Sequence, residues 1–216
     1  MTTARSALLL ALAVAVAAAA PANARPAPQS APPQGGIVFV GSSIFHRWTN
    51  LEAQMAPLPV VNLAFDGAVT DDMLRMVDSR VLPRRPKVVA YYGGSNDISV
   101  GEPADAIVAR IHRFIDRVTA ALPGTPVVFV SVNRAPEKQS RWSVVDDVNR
   151  QIQQYAAAHP GVVYVDVNPV LFNADASPRL ELYVGDGLHL RPPAYEGFAR
   201  ILKPVLEKAF AAAAAR

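Results

Sequence analysis

Three short stretches carry side chains able to act together on a carbonyl group. The first is Gly41-Ser42-Ser43, where an apolar run ends in a glycine and two adjacent hydroxyls. A serine at such a junction can cap the following helix, because its oxygen accepts a bond from an orphan amide of the first turn. It can equally be a nucleophile, which needs a base and oxyanion donors from elsewhere in the chain. With two serines, one can cap while the other attacks. The second stretch is Asp186-Gly187-Leu188-His189. A spacing of three in a glycine-containing turn lets one carboxylate reach Nδ1 of the imidazole, fix its tautomer and stabilise the imidazolium formed when Nε2 takes a proton. A capped turn next to a surface histidine produces the same pattern. The third is Gly93-Gly94-Ser95-Asn96-Asp97. It lacks the lysine of a phosphate-binding loop and the spacing of a dinucleotide fingerprint. Glycine and asparagine there suit a turn, and the Asn96 side-chain NH₂ can donate to an oxyanion without carrying charge.

Five β-rich runs must position these stretches: residues 37–41 (IVFVG), 60–64 (VVNLA), 87–92 (KVVAYY), 126–132 (PVVFVSV) and 162–167 (VVYVDV). Most are apolar at successive positions, as strands covered on both faces should be. Helical spacing predicts helices over 71–82, with Met73, Leu74, Val77 and Val81 on one face, and over 102–122, with Ile107, Ile111, Phe114, Ile115 and Val118 on one face. Two more are expected over 142–159 and 195–210, and the alanine-rich tail after Phe210 extends or frays the last one. Strands alternating with helices in a chain of this size give the α/β class: a three-layer α/β/α sandwich around a five-stranded parallel sheet. Right-handed crossovers place every strand's carboxyl end on one edge, where ligands bind. The small and polar residues that follow the strands, among them Gly41-Ser42-Ser43, Asp66-Gly67, Gly94-Ser95-Asn96 and Asn133-Arg134, would gather there.

The beginning of the 216-residue chain reads differently. Residues 6–20 (SALLLALAVAVAAAA) follow a single Arg5 and precede Pro21-Ala22-Asn23-Ala24, a small-residue cleavage site. This predicts a signal peptide over 1–24 and a secreted or periplasmic mature protein. The apolar run is shorter than the ~18 residues of a spanning helix, so no stable membrane span is expected in the mature protein. Residues 25–36 (RPAPQSAPPQGG) read as a Pro-rich linker, leaving 37–216 as one domain. Lysine and arginine number 21 against 18 acidic residues, interleaved, for a net charge of +3. That leaves no electrostatic footprint for nucleic acid. With no cysteine, disulfides, a thiolate nucleophile and a cysteine zinc site are excluded.

Taken in order, Gly-Ser-Ser after the first strand, a lone glycine after the second, G-x-N-D after the third and D-x-x-H before the last helix resemble the blocks of the SGNH (GDSL-type) serine hydrolases. The resemblance runs from Ile37 to about Leu206 and implies a flavodoxin-like SGNH fold. Carried over position by position, it implies Ser43 as nucleophile, Ser43, Gly67 and Asn96 as the oxyanion hole, and Asp186 and His189 as the acid and base. It further implies an esterase that needs no metal or organic cofactor and acts on small-molecule, glycan or lipid esters, with short acyl groups favoured because no long lid insertion is evident. A carbohydrate O-deacetylase, a lysophospholipase or thioesterase and an acyltransferase share that machinery, and a non-catalytic binding module could share the scaffold. Two departures stand out: Ser42 replaces the Asp of the usual GDS, and Ala64 and Asp66 stand where many relatives carry glycines. The G-x-S-x-G elbow of α/β-hydrolases is absent.

Other residues carry weaker signals. His46, His112 and His159 are too scattered to suggest a metal site. Arg47, Arg134 and Trp142 are placed to rim a pocket, Trp48 to do so or to pack in the core, and Asp97 to brace loops.

Overall fold

In the computed structural model, whose described residues are 34–215, every residue of β1 (Ile37–Gly41) is buried. Such a strand has no solvent face, so its alternate side chains must feed two cores. After β1 come α1 (Ser43–His46), α2 (Leu51–Met55), β2 (Val60–Asn62), α3 (Thr70–Arg75), β3 (Val88–Tyr92), α4 (Ser95–Ser99) and α5 (Ala104–Ala121). Then follow β4 (Val127–Val130), α6 (Trp142–Ala158), β5 (Val162–Val165), α7 (Asn168–Leu171) and α8 (Pro192–Ala214). The strands form one sheet in the order β2-β1-β3-β4-β5, and all four pairings are parallel. Ile37 and Phe39 point into a core built with α1, α2 and α8, while Val38 and Val40 point into one built with α3, α5 and α6. The expected three-layer α/β/α architecture is what the chain adopts.

The periodicity of the long helices translates directly into packing. Ile107, Ile111, Phe114, Ile115 and Val118 of α5 are all buried against the sheet. Trp48 packs in the core: it is 2 % exposed, lies edge-on to Phe39 and stacks on Tyr195 with ring centroids 5.2 Å apart, and with Arg47 and Tyr195 it also lines a small pocket. Burial of aromatic surface on this scale dominates core energetics.

Three expectations need correction. The helix expected over 71–82 is regular only through α3. The chain then widens into a π-helical turn at Val77–Val81 and a 3₁₀ turn at Leu82–Arg84. Pro83 has no N–H with which to close a last α-turn; the wider turn keeps Val77 and Val81 fully buried. The last helix starts earlier than expected, at Pro192, with its two leading prolines in the first turn, where a missing N–H costs nothing; the alanine-rich tail extends it to Ala214. The linker assigned to 25–36 ends sooner: the Gly35 amide donates to the Arg84 carbonyl at 3.1 Å and the Lys87 amide to the Gly36 carbonyl at 2.9 Å, so both glycines run along the body of the fold. The expected signal peptide over 1–24 and positions 25–33 lie outside the described residues. Among the described residues, no helix is long and apolar enough to cross a membrane.

Candidate active site

The site begins where β1 stops. A Cβ at Gly41 would lie 2.8 Å from the Tyr92 carbonyl oxygen, so only glycine lets β1 end this close to β3. Ser42 then adopts an extended conformation before α1 begins at Ser43. Neither serine caps the helix by its side chain: the Ser42 hydroxyl is buried with no hydrogen-bond partner among the described residues. The Ser43 hydroxyl instead meets His189 Nε2 at 2.9 Å, across 146 positions of sequence.

His189 sits in the turn that feeds α8. The Val184 amide donates to the His189 carbonyl at 2.8 Å, the Gly187 amide to Val184 at 3.0 Å, and the Arg191 guanidinium Nε to the Tyr183 carbonyl at 2.6 Å. Inside this turn, Asp186 Oδ1 accepts from the amides of Leu188 and His189, both at 2.9 Å, and Oδ2 lies 2.6 Å from His189 Nδ1. One carboxylate oxygen thus locks the backbone and the other holds the ring. Partial desolvation pushes the Asp186 carboxyl upward. The Nδ1–H bond, the two backbone amides and the imidazolium charge outweigh it and bring the group down to about 2. A carboxyl depressed in this way keeps its favourable contacts above the usual carboxylate range and loses them only as pH falls through about 2. Asp186 is therefore an anion over the whole range in which a histidine titrates. An anionic acceptor at Nδ1 puts the proton there and leaves Nε2 free to accept the Ser43 hydroxyl proton.

The elements that flank β1 in the sheet carry the other expected residues. On the β2 side the loop passes through Gly67, exposed and at φ +76°, a left-handed conformation that favours glycine. On the β3 side, Asn96 lies in the first turn of α4 and its Nδ2 donates to the Ala68 carbonyl at 2.9 Å. Ser43, Gly67 and Asn96 thus stand at the carboxyl ends of three adjacent strands. Asp97 points the other way, as a brace. It is 1 % exposed and accepts from the Thr70 amide and hydroxyl and from Arg110, locking α3, α4 and α5 together behind the site.

Several participants were not legible in advance. Asn62 donates to the Phe45 carbonyl at 2.7 Å and accepts from the Ala64 amide at 3.1 Å, pinning the loop after β2 to α1. Its signal was there: a polar residue within the apolar run VVNLA. Thr70, Arg110 and the Arg47–Asp66 pair left no such trace. The remaining candidates stay outside the reacting groups. His46 bonds the Ala64 carbonyl through Nδ1, and His112 and His159 sandwich the Tyr155 ring on α6, with centroids 3.9 and 3.7 Å away. Arg134 lies over the Trp142 and Phe172 rings, 4.5 and 5.4 Å from their centroids. A groove of about 750 Å³ is lined by Gly124, Pro126, Pro160, Gly161 and Lys208 near the amino ends of β4 and β5, the opposite edge from Ser43.

A sequence model of the GDSL-like Lipase/Acylhydrolase family matches residues 37–196. The fold is similar to a Streptococcus pneumonia protein named for platelet activating factor, at 24 % identity over 82 % of this chain and 86 % of that one, with a TM-score of 0.72. It is also similar to a GDSL-like lipase from Bacteroides thetaiotaomicron, at 21 % identity over 80 % and 88 %, with a TM-score of 0.69. A third similar structure is a carbohydrate esterase family 3 protein from Talaromyces cellulolyticus, at 16 % identity over 82 % and 98 %, with a TM-score of 0.66. No curated protein sequence matches the chain.

Proposed function

We propose that this chain, which belongs to the GDSL-like lipase/acylhydrolase family, is an exported serine esterase of short-chain acyl esters. The observation that carries the reading is the continuous relay Ser43 Oγ, His189 Nε2, His189 Nδ1 and Asp186 Oδ2. In this mechanism His189 takes the Ser43 proton as Oγ attacks the ester carbonyl. The amides of Ser43 and Gly67 and the Asn96 side chain hold the oxyanion. Collapse of the tetrahedral adduct expels the alcohol, which takes its proton from His189. Water, deprotonated by the same imidazole, then frees the acid from the acyl-serine. Carbohydrate O-deacetylation is the second reading, supported by the similarity to the Talaromyces carbohydrate esterase.

Export rests on the charged, apolar and small-residue segments of positions 1–24. One experiment addresses both export and chemistry: intact-mass measurement of protein recovered from outside the cytoplasm, before and after a fluorophosphonate. The expected mass begins at Arg25 and gains one phosphonyl group. A chain that starts at Met1 overturns cleavage after Ala24, and an unlabelled chain overturns the serine mechanism in favour of a binding module. On a series of p-nitrophenyl esters below micelle formation, kcat/KM is expected to be highest for acetyl or butyryl groups. A palmitoyl optimum reverses the acyl assignment.

The oxyanion assignment has its own test. Asn96→Ala is expected to lower kcat by roughly 10²–10³ with little change in KM, because that bond strengthens as charge develops. A loss confined to KM overturns Asn96 as an oxyanion donor.

A further inference from the structure

The loop that carries Gly67 is held from both sides. Beyond it, Asn96 Nδ2 grips the Ala68 carbonyl. Before it, Asp66 is grasped by Arg47, whose Nε and one terminal nitrogen donate to the two carboxylate oxygens at 3.2 and 2.9 Å. Arg47 lies one turn beyond Ser43, its amide bonded to the Ser43 carbonyl at 2.9 Å. A chain of contacts therefore runs from Ser43 along α1 to Arg47, across to Asp66, through Gly67 and Ala68, and on to Asn96. It joins the carriers of all three expected oxyanion donors. The ties at Asn62 and His46 reach only as far as residue 64. Arg47–Asp66 is the contact from α1 that reaches the residue next to Gly67.

We infer that the Arg47–Asp66 ion pair is a positioning pair, which fixes the Gly67 amide against the Ser43 helix and cancels charge beside His189. The inference rests on the serine-esterase reading above. The two side chains are 45 % and 49 % exposed, and pairs this exposed contribute little to stability. Their geometry is nevertheless the planar, two-point fit by which arginine fixes a carboxylate's orientation. The pair also shares a field with the relay. The Asp66 carboxyl is held below its usual range by the bond from Arg47, against desolvation, and by the charges of Arg47, His46 and His189. The Arg47 guanidinium is raised by its bond to Asp66, and the anion of Asp186 acts in the same direction.

Asp186 faces His189 from its own turn, Ser43 from α1 and Asp66 from the loop after β2. Arg191, two residues beyond His189, is the cation of the same turn, its Nε bonded to the Tyr183 carbonyl at 2.6 Å. Arg47 of α1 holds Asp66, and His46 of α1 lies within the field of the same carboxylate. Tyr183 leads into the turn and Tyr195 of α8 lies by Arg47. The segment before α6, whose Glu137 amide donates to the Gly187 carbonyl at 3.2 Å, brings Glu137 and Lys138, which pair with each other at 2.7 Å. Removing one member of the Arg47–Asp66 pair leaves its partner's charge uncompensated. Asp66 alone favours the imidazolium, whereas Arg47 alone opposes it.

The test is the pH dependence of kcat/KM for p-nitrophenyl acetate in wild type, Arg47→Gln, Asp66→Asn and the double variant. Arg47→Gln should move the acid limb to higher pH and Asp66→Asn to lower pH, each by roughly 0.3–0.5 pH unit at low salt. The double variant should return the limb to its wild-type position. All three should retain a roughly tenfold loss in kcat from the misplaced amide. In 0.5 M salt, where the screening length is roughly 4 Å, the limb shifts should shrink and the kcat loss should persist. Limbs that stay put or move in the same direction overturn the charge role, and wild-type kcat in the double variant overturns the positioning role. Wild-type protein that neither hydrolyses the ester nor takes a fluorophosphonate overturns the esterase reading instead, so the two failures are distinct.

Discussion

Ser43→Ala is expected to lower kcat by about 10⁶ and to abolish labelling by a fluorophosphonate, while Ser42→Ala stays within about threefold of wild type. The two serines are adjacent and chemically identical, so the difference comes from placement alone. Ser43 Oγ lies 2.9 Å from an imidazole nitrogen whose tautomer is fixed by an anion. Ser42 Oγ is buried and meets no base or acceptor among the described residues. Removing a buried hydroxyl that bonds nothing nearby costs little, because no partner is left unsatisfied. His189→Ala should match Ser43→Ala, since attack and proton removal are one event and removing either partner removes the same step. Residual activity in both would come from binding and the oxyanion donors. The measurement is intact-mass detection of the adduct together with kcat for p-nitrophenyl acetate. A label that survives in Ser43→Ala and vanishes in Ser42→Ala reassigns the nucleophile.

What the sequence revealed of this site, and what it hid, follows from the range of each signal. Gly41-Ser42-Ser43, G-x-N-D and D-x-x-H are local, and each marks a strand end or a turn whose conformation its own residues dictate. The parallel sheet then brings them together without further information, because crossovers of one hand put all strand ends on one edge. The brace around Asp97 is of another kind. Its partners Thr70 and Arg110 lie 27 residues before it and 13 after it, on helices whose rotation depends on the whole core. Arg47 and Asp66 each stand out separately, but nothing local pairs them across the 19 positions that separate them. Periodicity placed Val77 and Val81 in the core but could not foresee the π-helical turn, because both an α-turn and a π-turn can bury those valines. Pro83, which has no N–H to donate to either kind of turn, limits how far the helix runs.

Asp186→Asn is expected to lower kcat by about 10³–10⁴, less than loss of the serine but more than loss of a single oxyanion donor. The reason lies in how the two carboxylate oxygens are used. Oδ1 accepts from two backbone amides, at Leu188 and His189, and Oδ2 faces His189 Nδ1. An asparagine has one oxygen to place. Put toward the two amides, it keeps the turn intact, since the alternative aims an NH₂ at two N–H donors. The asparagine NH₂ then points at Nδ1 and makes that nitrogen an acceptor. The ring proton moves to Nε2, where it faces Ser43 Oγ and can take nothing from it. The fold and the distances survive while the base is disabled. Nitrogen NMR of His189 near neutral pH should show Nδ1 protonated in wild type and Nε2 protonated in the variant, alongside the fall in kcat. Wild-type turnover in Asp186→Asn, or Nδ1 still protonated despite a large loss, would show that the carboxylate does not act by setting the tautomer.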